Sequence, residues 1–253
     1  MILTSKNNPL IKETASLKEK KYRKALGLFL VEGVKMAREA LNSPCEVERV
    51  FISESFDGDK SFLAGLTEEK IVYVSANVMQ AMTDEKTPQG VLCRVKIPET
   101  TLQAPTASCL VLDGVSDPGN MGTIIRTANG AGYNEVYLTS DCVDPYSPKS
   151  VRASMSGIFL TRIYQADREN LLVALQDIPV IVADMDGQNV FTFTPPSRFA
   201  LVIGNEANGV SETVQNHATH TVKIPMQSTQ ESLNAGVSAG ILAYVLKKDS
   251  FLD

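Results

Sequence analysis

The feature that most constrains this chain is a set of near-continuous apolar runs: CLVLDGV (109–115), EVYLT (135–139), PVIVADM (179–185) and FALVIG (199–204). A strand that alternates apolar and polar residues keeps one wet face, whereas a strand that is apolar throughout is buried on both. Such strands, interleaved with helical patterns over 121–131, 148–156, 168–176 and 233–248, predict a parallel sheet covered by helices and hence an α/β fold. TVKIPM (221–226) supplies one more strand.

A shorter alternation precedes this one. LFLVEG (28–33), VERVFIS (47–53), IVYVS (71–75) and GVLCRVKI (90–97) read as strands, with helices over 33–41, near 60–66 and near 76–83. Between the two alternations lies PETTLQAPTAS (98–108), small, polar and holding two prolines, which reads as a linker. The expected division is therefore 1–97, a linker at 98–108, and 109–253. No apolar run is long enough to cross a bilayer, and MILTSKNNPLIKE carries polar groups where a secretory leader places its apolar stretch. Cys45, Cys93, Cys109 and Cys142 lie in neither a C-x-x-C pair nor a zinc spacing, so they read as free thiols of a cytoplasmic protein. His217 and His220 in HATH are one helical turn apart with no third ligand beside them, so no metal site is expected.

The net charge of −5 argues against a nucleic-acid binder only when averaged. Residues 1–24 carry +5 and the remaining 229 carry −10. Two readings stand: a solvated helical face, or a short basic arm for phosphates on an acidic body, with Lys6, Lys20, Lys21, Arg23 and Lys24 as the contacts.

Ligands of an open parallel sheet bind beyond the carboxyl ends of its strands, and three segments leave those ends. In LDGVSDPGNMGTIIRTANGAG (112–132) a turn leads into a helix; Asn120 reads as its N-cap, and Arg126 faces away from the stripe of Met121, Ile124, Ile125 and Ala128. In LVIGNEANGVS (201–211), Gly204 lets a ligand approach the backbone, Glu206 is a strand-end carboxylate and Ser211 caps a short helix. In IPMQSTQESLNAGVSAGILAYVLKK (224–248), Ser232 and Asn234 flank a helix start. Val237, Ile241, Tyr244 and Val245 form its packing stripe, and Gly236, Gly240 and Ala243 form a small-residue stripe suited to tight packing or a subunit interface. The phosphate loop G-x-x-x-x-G-K-[ST] is absent, and Gly114, Gly119 and Gly122 have the wrong spacing for a dinucleotide fingerprint.

These three segments, in this order, resemble the three motifs of the SpoU/TrmH family of RNA 2′-O-ribose methyltransferases, within the SPOUT superfamily: DPGNMGTIIRTA (117–128), LVIGNEANGVS (201–211) and IPMQSTQESLNAGVSAGILAYVL (224–246). Residues 5–33 and 87–95 resemble the family's N-terminal RNA-binding domain, similar to ribosomal protein L30e. The resemblance implies a small L30e-like α/β domain followed by a SPOUT α/β domain with a deep trefoil knot, which no sequence pattern suggests by itself. It implies S-adenosylmethionine held by Gly204, Glu206, Ile224, Met226, Ser232 and Leu233, and catalysis by Asn120, Arg126, Glu206, Ser232 and Asn234. It also implies a homodimer through the last helix and an RNA substrate, ribosomal in preference to transfer RNA, with no metal. The family's usual proposal gives the 2′-hydroxyl proton to the arginine; because arginine normally stays protonated, a phosphate beside the ribose is the alternative acceptor, with Arg126 holding it and stabilising the developing alkoxide. The competing readings are a non-catalytic RNA-binding factor on the same fold and a nicotinamide-dependent oxidoreductase.

Overall fold

The computed structural model describes residues 2–229 and 232–251, so Gln230 and Glu231, inside the third motif segment, lie outside the described residues. The chain forms two compact units, Met1–Glu99 with Asp144–Phe159, and Thr100–Val143 with Leu160–Asp253. The stretch 144–159, expected with the second domain, thus packs with the first unit.

The first unit holds β1 (Ile2–Leu3), α1 (Pro9–Ser16), α2 (Lys20–Leu26), β2 (Leu28–Glu32), α3 (Val34–Leu41), β3 (Val47–Ser53), β4 (Ile71–Val74), α4 (Ala76–Met82) and β5 (Val91–Lys96). Its mixed sheet runs β1-β4-β3-β5-β2. Pro9 opens α1, where its fixed φ suits a first helical position, and the Asn8 side chain accepts from the Leu10 N–H at 2.9 Å. Ile11 and Leu17 then enter a core with Phe51, Val74, Val78 and Met82. The basic stretch 1–24 is therefore part of a packed fold and not a loose arm. The helix expected near 60–66 is a single 3₁₀ turn at Ser61–Leu63. α6 (Pro148–Ser154), capped by the Ser147 hydroxyl, packs on β2, and Phe29 meets the ring of Tyr146 at 5.0 Å.

The second unit holds β6 (Cys109–Asp113), α5 (Pro118–Gly130), β7 (Glu135–Thr139), β8 (Arg162–Ala166), α8 (Arg168–Ala174), β9 (Val180–Asn189), β10 (Ala200–Gly204), α9 (Glu212–Gln215), β11 (His220–Lys223) and α10 (Ala235–Leu246). The short α7 (Gly157–Leu160) leads back into it. All its strand pairs are parallel, in the order β11-β9-β10-β6-β7-β8. Every residue of β6 and β7 is buried, Cys109–Leu112 and Val136–Leu138 as their apolar runs require, and Asp113, Glu135 and Thr139 with hydrogen-bond partners. From β6 the chain proceeds towards β7, whereas β10 lies on the other side of β6 with β9 beyond it. The strand order reverses between β6 and β10, which is where an open parallel sheet forms its ligand crevice.

α10 departs from expectation in its large stripe alone, while its small stripe takes the first of its two readings, tight packing within the unit. The small stripe faces inward: Gly236 and Ala243 are buried and Gly240 is half-buried, and a Cβ on Gly236 would lie 3.1 Å from the Thr123 methyl of α5. The large apolar stripe faces outward, with Val237 50% and Tyr244 45% exposed. Small residues let α10 and α5 approach closely, which offsets the roughly 1 kcal/mol that each helical glycine costs.

Candidate active site

β6 ends at Asp113, and the chain turns through Gly114, whose φ of +72° a side-chain-bearing residue resists. The N-cap of α5 is Asp117, which accepts from the Asn120 N–H at 2.8 Å. This frees the Asn120 side chain, which the sequence read as the cap, for a different task. Its Nδ2 donates to Glu206 Oε1 at 2.9 Å, and its Oδ1 accepts from Asn234 Nδ2 at 2.8 Å. Asn234 in turn caps α10, accepting from the Gly236 and Val237 N–H groups at 2.9 and 3.2 Å. Glu206 also accepts from Asp117 N–H at 3.1 Å and from both the N–H and hydroxyl of Ser116. One chain of hydrogen bonds, Glu206–Asn120–Asn234, thus joins the three motif segments.

Burial pushes the Glu206 carboxyl upward, but the hydrogen bonds from Asn120, Ser116 and Asp117 favour the charged form and bring it down to about 2. Glu206 is an anion at neutral pH and a very weak base. It accepts hydrogen bonds from Ser116, Asp117 and Asn120 and so ties these residues to the second motif loop.

Beside this chain lies a cleft of about 760 Å³, within the range of small-molecule sites. Gly204, Glu206, Ile224, Met226, Ser232 and Leu233, the six residues expected to hold the cofactor, all line it. The loop itself gives Gly204 a second reason to be glycine. A Cβ there would lie 2.2 to 2.5 Å from the backbone of Gly209 and Val210, so the loop's own fold requires glycine at this position. That loop closes on itself through paired hydrogen bonds between Asn205 and Gly209, and Asn205 Nδ2 ties it to the Gly114 carbonyl at 2.7 Å.

The model of the SpoU rRNA methylase family matches residues 107–244, and that of an MRM3-like substrate-binding domain matches residues 8–93. The chain belongs to the SpoU rRNA methylase family. It is 30% identical to the 23S rRNA (guanosine(2553)-2′-O)-methyltransferase RlmP of Bacillus subtilis, over 97% of this chain and 98% of that protein. An rRNA methyltransferase from Sinorhizobium meliloti, solved with AdoMet bound, superposes with a TM-score of 0.90 at 26% identity, covering 100% of this chain and 99% of that one. A solved RNA 2′-O ribose methyltransferase gives 0.84 at 30% identity, with full coverage of both chains.

Within this SpoU chain the remaining expected residues sort by exposure and partner. Arg126 is exposed on α5 and makes no hydrogen bond or ion pair with another described residue. It lies about 9 Å along the helix from Asn120. Lys6, Lys20 and Lys24 are exposed on the first unit, and Lys21 is exposed beside Glu19 at 3.3 Å. Arg23 departs from expectation. It is 3% exposed, donates from Nε and Nη2 to Asp144 at 2.9 and 2.6 Å, and donates from Nη1 to the Leu17 and Lys18 carbonyls. It is a buried brace with no donor group facing solvent for RNA. Ser211 stands at the start of α9 without a side-chain capping bond; its N–H donates to Asp113 Oδ2 and its hydroxyl accepts from Arg168. His217 and His220 are not helical neighbours, since His220 begins β11 and packs on Phe193. Among the described residues no group of three or more His, Cys, Asp or Glu could hold a metal ion.

Several residues of the site were not singled out in the sequence. Asp184, Met185 and Asp186 line the cleft where β9 extends past its apolar run. Asp113 and Asn205 hold the second motif loop, and both sit at strand ends, the one signal that could have flagged them.

Proposed function

We propose that the Glu206–Asn120–Asn234 chain and the adjoining cleft form the methyl-transfer site, and that its acceptor is a ribose in ribosomal RNA. The chain is an S-adenosylmethionine-dependent RNA ribose 2′-O-methyltransferase. When bound, the cofactor supplies an electrophilic sulfonium methyl. The cleft suits it: Ile224, Met226, Leu233 and Leu242 give apolar walls, and Gly204, Asn205 and Gly209 bring backbone to the rim.

Asn120 and Asn234 orient the acceptor ribose, because their amides are locked by Glu206 on one side and the α10 N-terminus on the other. Arg126 is uncommitted and permanently charged, so it holds the phosphate beside that ribose and stabilises the developing alkoxide. Glu206, at about 2, is too weak a base to take the 2′-hydroxyl proton at neutral pH, and a phosphodiester paired with an arginine is no stronger, so the phosphate serves as Arg126's anchor and the proton leaves to water as Arg126 stabilises the alkoxide. Ser232 stands at the cleft mouth as a further positioning group.

The first unit selects the RNA through Lys6, Lys20, Lys21 and Lys24. The name of the Bacillus relative supports ribosomal over transfer RNA. The outward apolar stripe of α10 supports a homodimer through that helix. The trefoil knot implied for the family is supported by the sheet order, in which β9 separates the sequence neighbours β10 and β11. A cytoplasmic location suits four free cysteines, one of which, Cys93, burial pushes up to about 12 and so makes inert; no described helix is long and apolar enough to cross a membrane.

The observation that carries this reading is the hydrogen-bonded chain from Glu206 through Asn120 to Asn234 at one cleft. Thermal shift tests it against the oxidoreductase reading: S-adenosylhomocysteine raises the melting temperature and NADH leaves it unchanged. The reverse pattern rules the reading out.

A further inference from the structure

The second motif loop is held from a direction that none of the three motifs contains. Arg168 opens α8, directly after β8. Its Nε donates to Asp113 Oδ1 at 2.7 Å and to the Ser211 hydroxyl at 3.1 Å, and its Nη2 donates to Asp141 Oδ2 at 2.7 Å. Asp113 closes β6 with a side chain fully out of solvent, and its other oxygen accepts the Ser211 N–H at 2.7 Å. Asp141 accepts from the Thr139 hydroxyl, which in turn accepts from the Gly114 N–H at 2.9 Å. Three strand spacings separate β8 from β10, about 14 Å, and Arg168 is the side chain that ties the far ends together.

We infer that Arg168 is a positioning residue for methyl transfer, a brace across the carboxyl edge of the sheet that fixes the loop carrying Glu206. The loop 205–211 is pinned at two points, at its start by Asn205 on the Gly114 carbonyl and at its end by Ser211 on Asp113 and Arg168. Glu206 sits between the pins and carries the Asn120–Asn234 chain. Losing the second pin lets Glu206 and the cleft wall at Gly204–Gly209 drift. A displacement of about 1 Å is enough to cost on the order of 10²-fold in rate. A guanidinium suits this task because its planar fork donates to two carboxylates at once, which an ammonium does with poorer geometry. Burial alone pushes the Asp141 carboxyl up, but the Thr139 and Arg168 hydrogen bonds outweigh it and hold the group below the ordinary carboxylate range, so both partners stay charged at neutral pH.

The inference rests on the proposed site, and the test separates the two. Purified full-length Arg168→Gln and Arg168→Lys are compared with wild type for S-adenosylhomocysteine affinity, kcat and KM on ribosomal RNA per folded molecule, and amide hydrogen exchange. Arg168→Gln is expected to weaken the cofactor product about tenfold and lower kcat at least tenfold. The KM for RNA stays within twofold, and faster exchange is confined to 114–117 and 204–211. Arg168→Lys recovers both parameters to within about threefold of wild type. Wild-type affinity and turnover in Arg168→Gln, whatever its melting temperature, overturns the inference, as do equal losses in both variants with exchange raised across the whole second unit. Should Arg168→Gln not fold, Asp141→Asn removes one anchor at a half-exposed site and is expected to cost two- to threefold in the same readouts; no change there also overturns it. A wild-type protein that binds no S-adenosylhomocysteine contradicts the proposed site instead.

Discussion

Two helical stretches, 20–24 and 118–128, each present an arginine that the sequence marks as a ligand contact, and the structure gives them opposite lives. Arg23 is buried in the first unit with Nε, Nη1 and Nη2 committed to Asp144, Leu17 and Lys18. Arg126 stands exposed in the second unit with no partner among the described residues. A charge pattern locates charges along the chain; whether a charge is free to meet a phosphate depends on what the fold has already placed against it. The same contrast separates Arg23 from Lys20 and Lys24, its exposed neighbours on α2. It also separates Glu206, whose hydrogen bonds from Ser116, Asp117 and Asn120 occupy both oxygens, from a carboxylate available as a base.

The largest expected effect breaks the pair on the structural side. Arg23→Ala strands the Asp144 carboxylate and two carbonyls, and costs about 3–5 kcal/mol in denaturant unfolding; a loss below 1 kcal/mol returns Arg23 to the RNA-binding set. On the functional side, Arg126→Ala is expected to lower turnover on the order of 10²–10³-fold while S-adenosylhomocysteine affinity stays within twofold. Single-turnover kinetics with calorimetry reads both, and full turnover in this variant removes Arg126 from the mechanism. A smaller effect sharpens the comparison within α2: each of Lys20→Ala and Lys24→Ala is expected to reduce the slope of log affinity for RNA against log salt by about 1, with cofactor binding unchanged. Deletion of residues 1–24 is a poor substitute, since it removes Ile11 and Leu17 from the core.

The smallest effect concerns pH. The Glu206 carboxyl is depressed in the fold to about 2 from an ordinary 4.5, so the unfolded chain takes up its proton first as pH falls. Its contribution to stability is whole above pH 4.5 and is lost as pH falls towards 2. Melting temperature against pH in wild type and Glu206→Gln should therefore differ most at neutral pH and converge in acid; a gap that widens in acid contradicts the assignment.

Much of this was legible in advance. The unbroken apolar runs gave the parallel sheet because burial on both faces leaves no room for alternation, and EVYLT and VERVFIS coincide with β7 and β3. The cleft residues could be placed because a parallel sheet sends its loops to one edge. The capping of α5 could not: Asp117 and Asn120 are both good capping types, and only the position of Glu206 shows that the Asn120 amide is needed elsewhere. The orientation of α10 was equally hidden, because both its stripes are apolar and only the threonines of α5 show that the small one faces inward. Arg168 gave no signal, since its partners come from β6, the turn after β7 and the loop after β10.

We propose that the Glu206–Asn120–Asn234 site moves a methyl group to a ribose oxygen of ribosomal RNA. The decisive experiment incubates the protein with methyl-labelled S-adenosylmethionine and ribosomal RNA lacking the modification, then hydrolyses the RNA in alkali. Label is expected in an alkali-resistant dinucleotide, as a 2′-O-methyl leaves no hydroxyl to attack the adjoining phosphate, and is expected to be lost in Asn120→Ala. Label recovered on a base in single nucleotides, or transfer undiminished in Asn120→Ala, contradicts it.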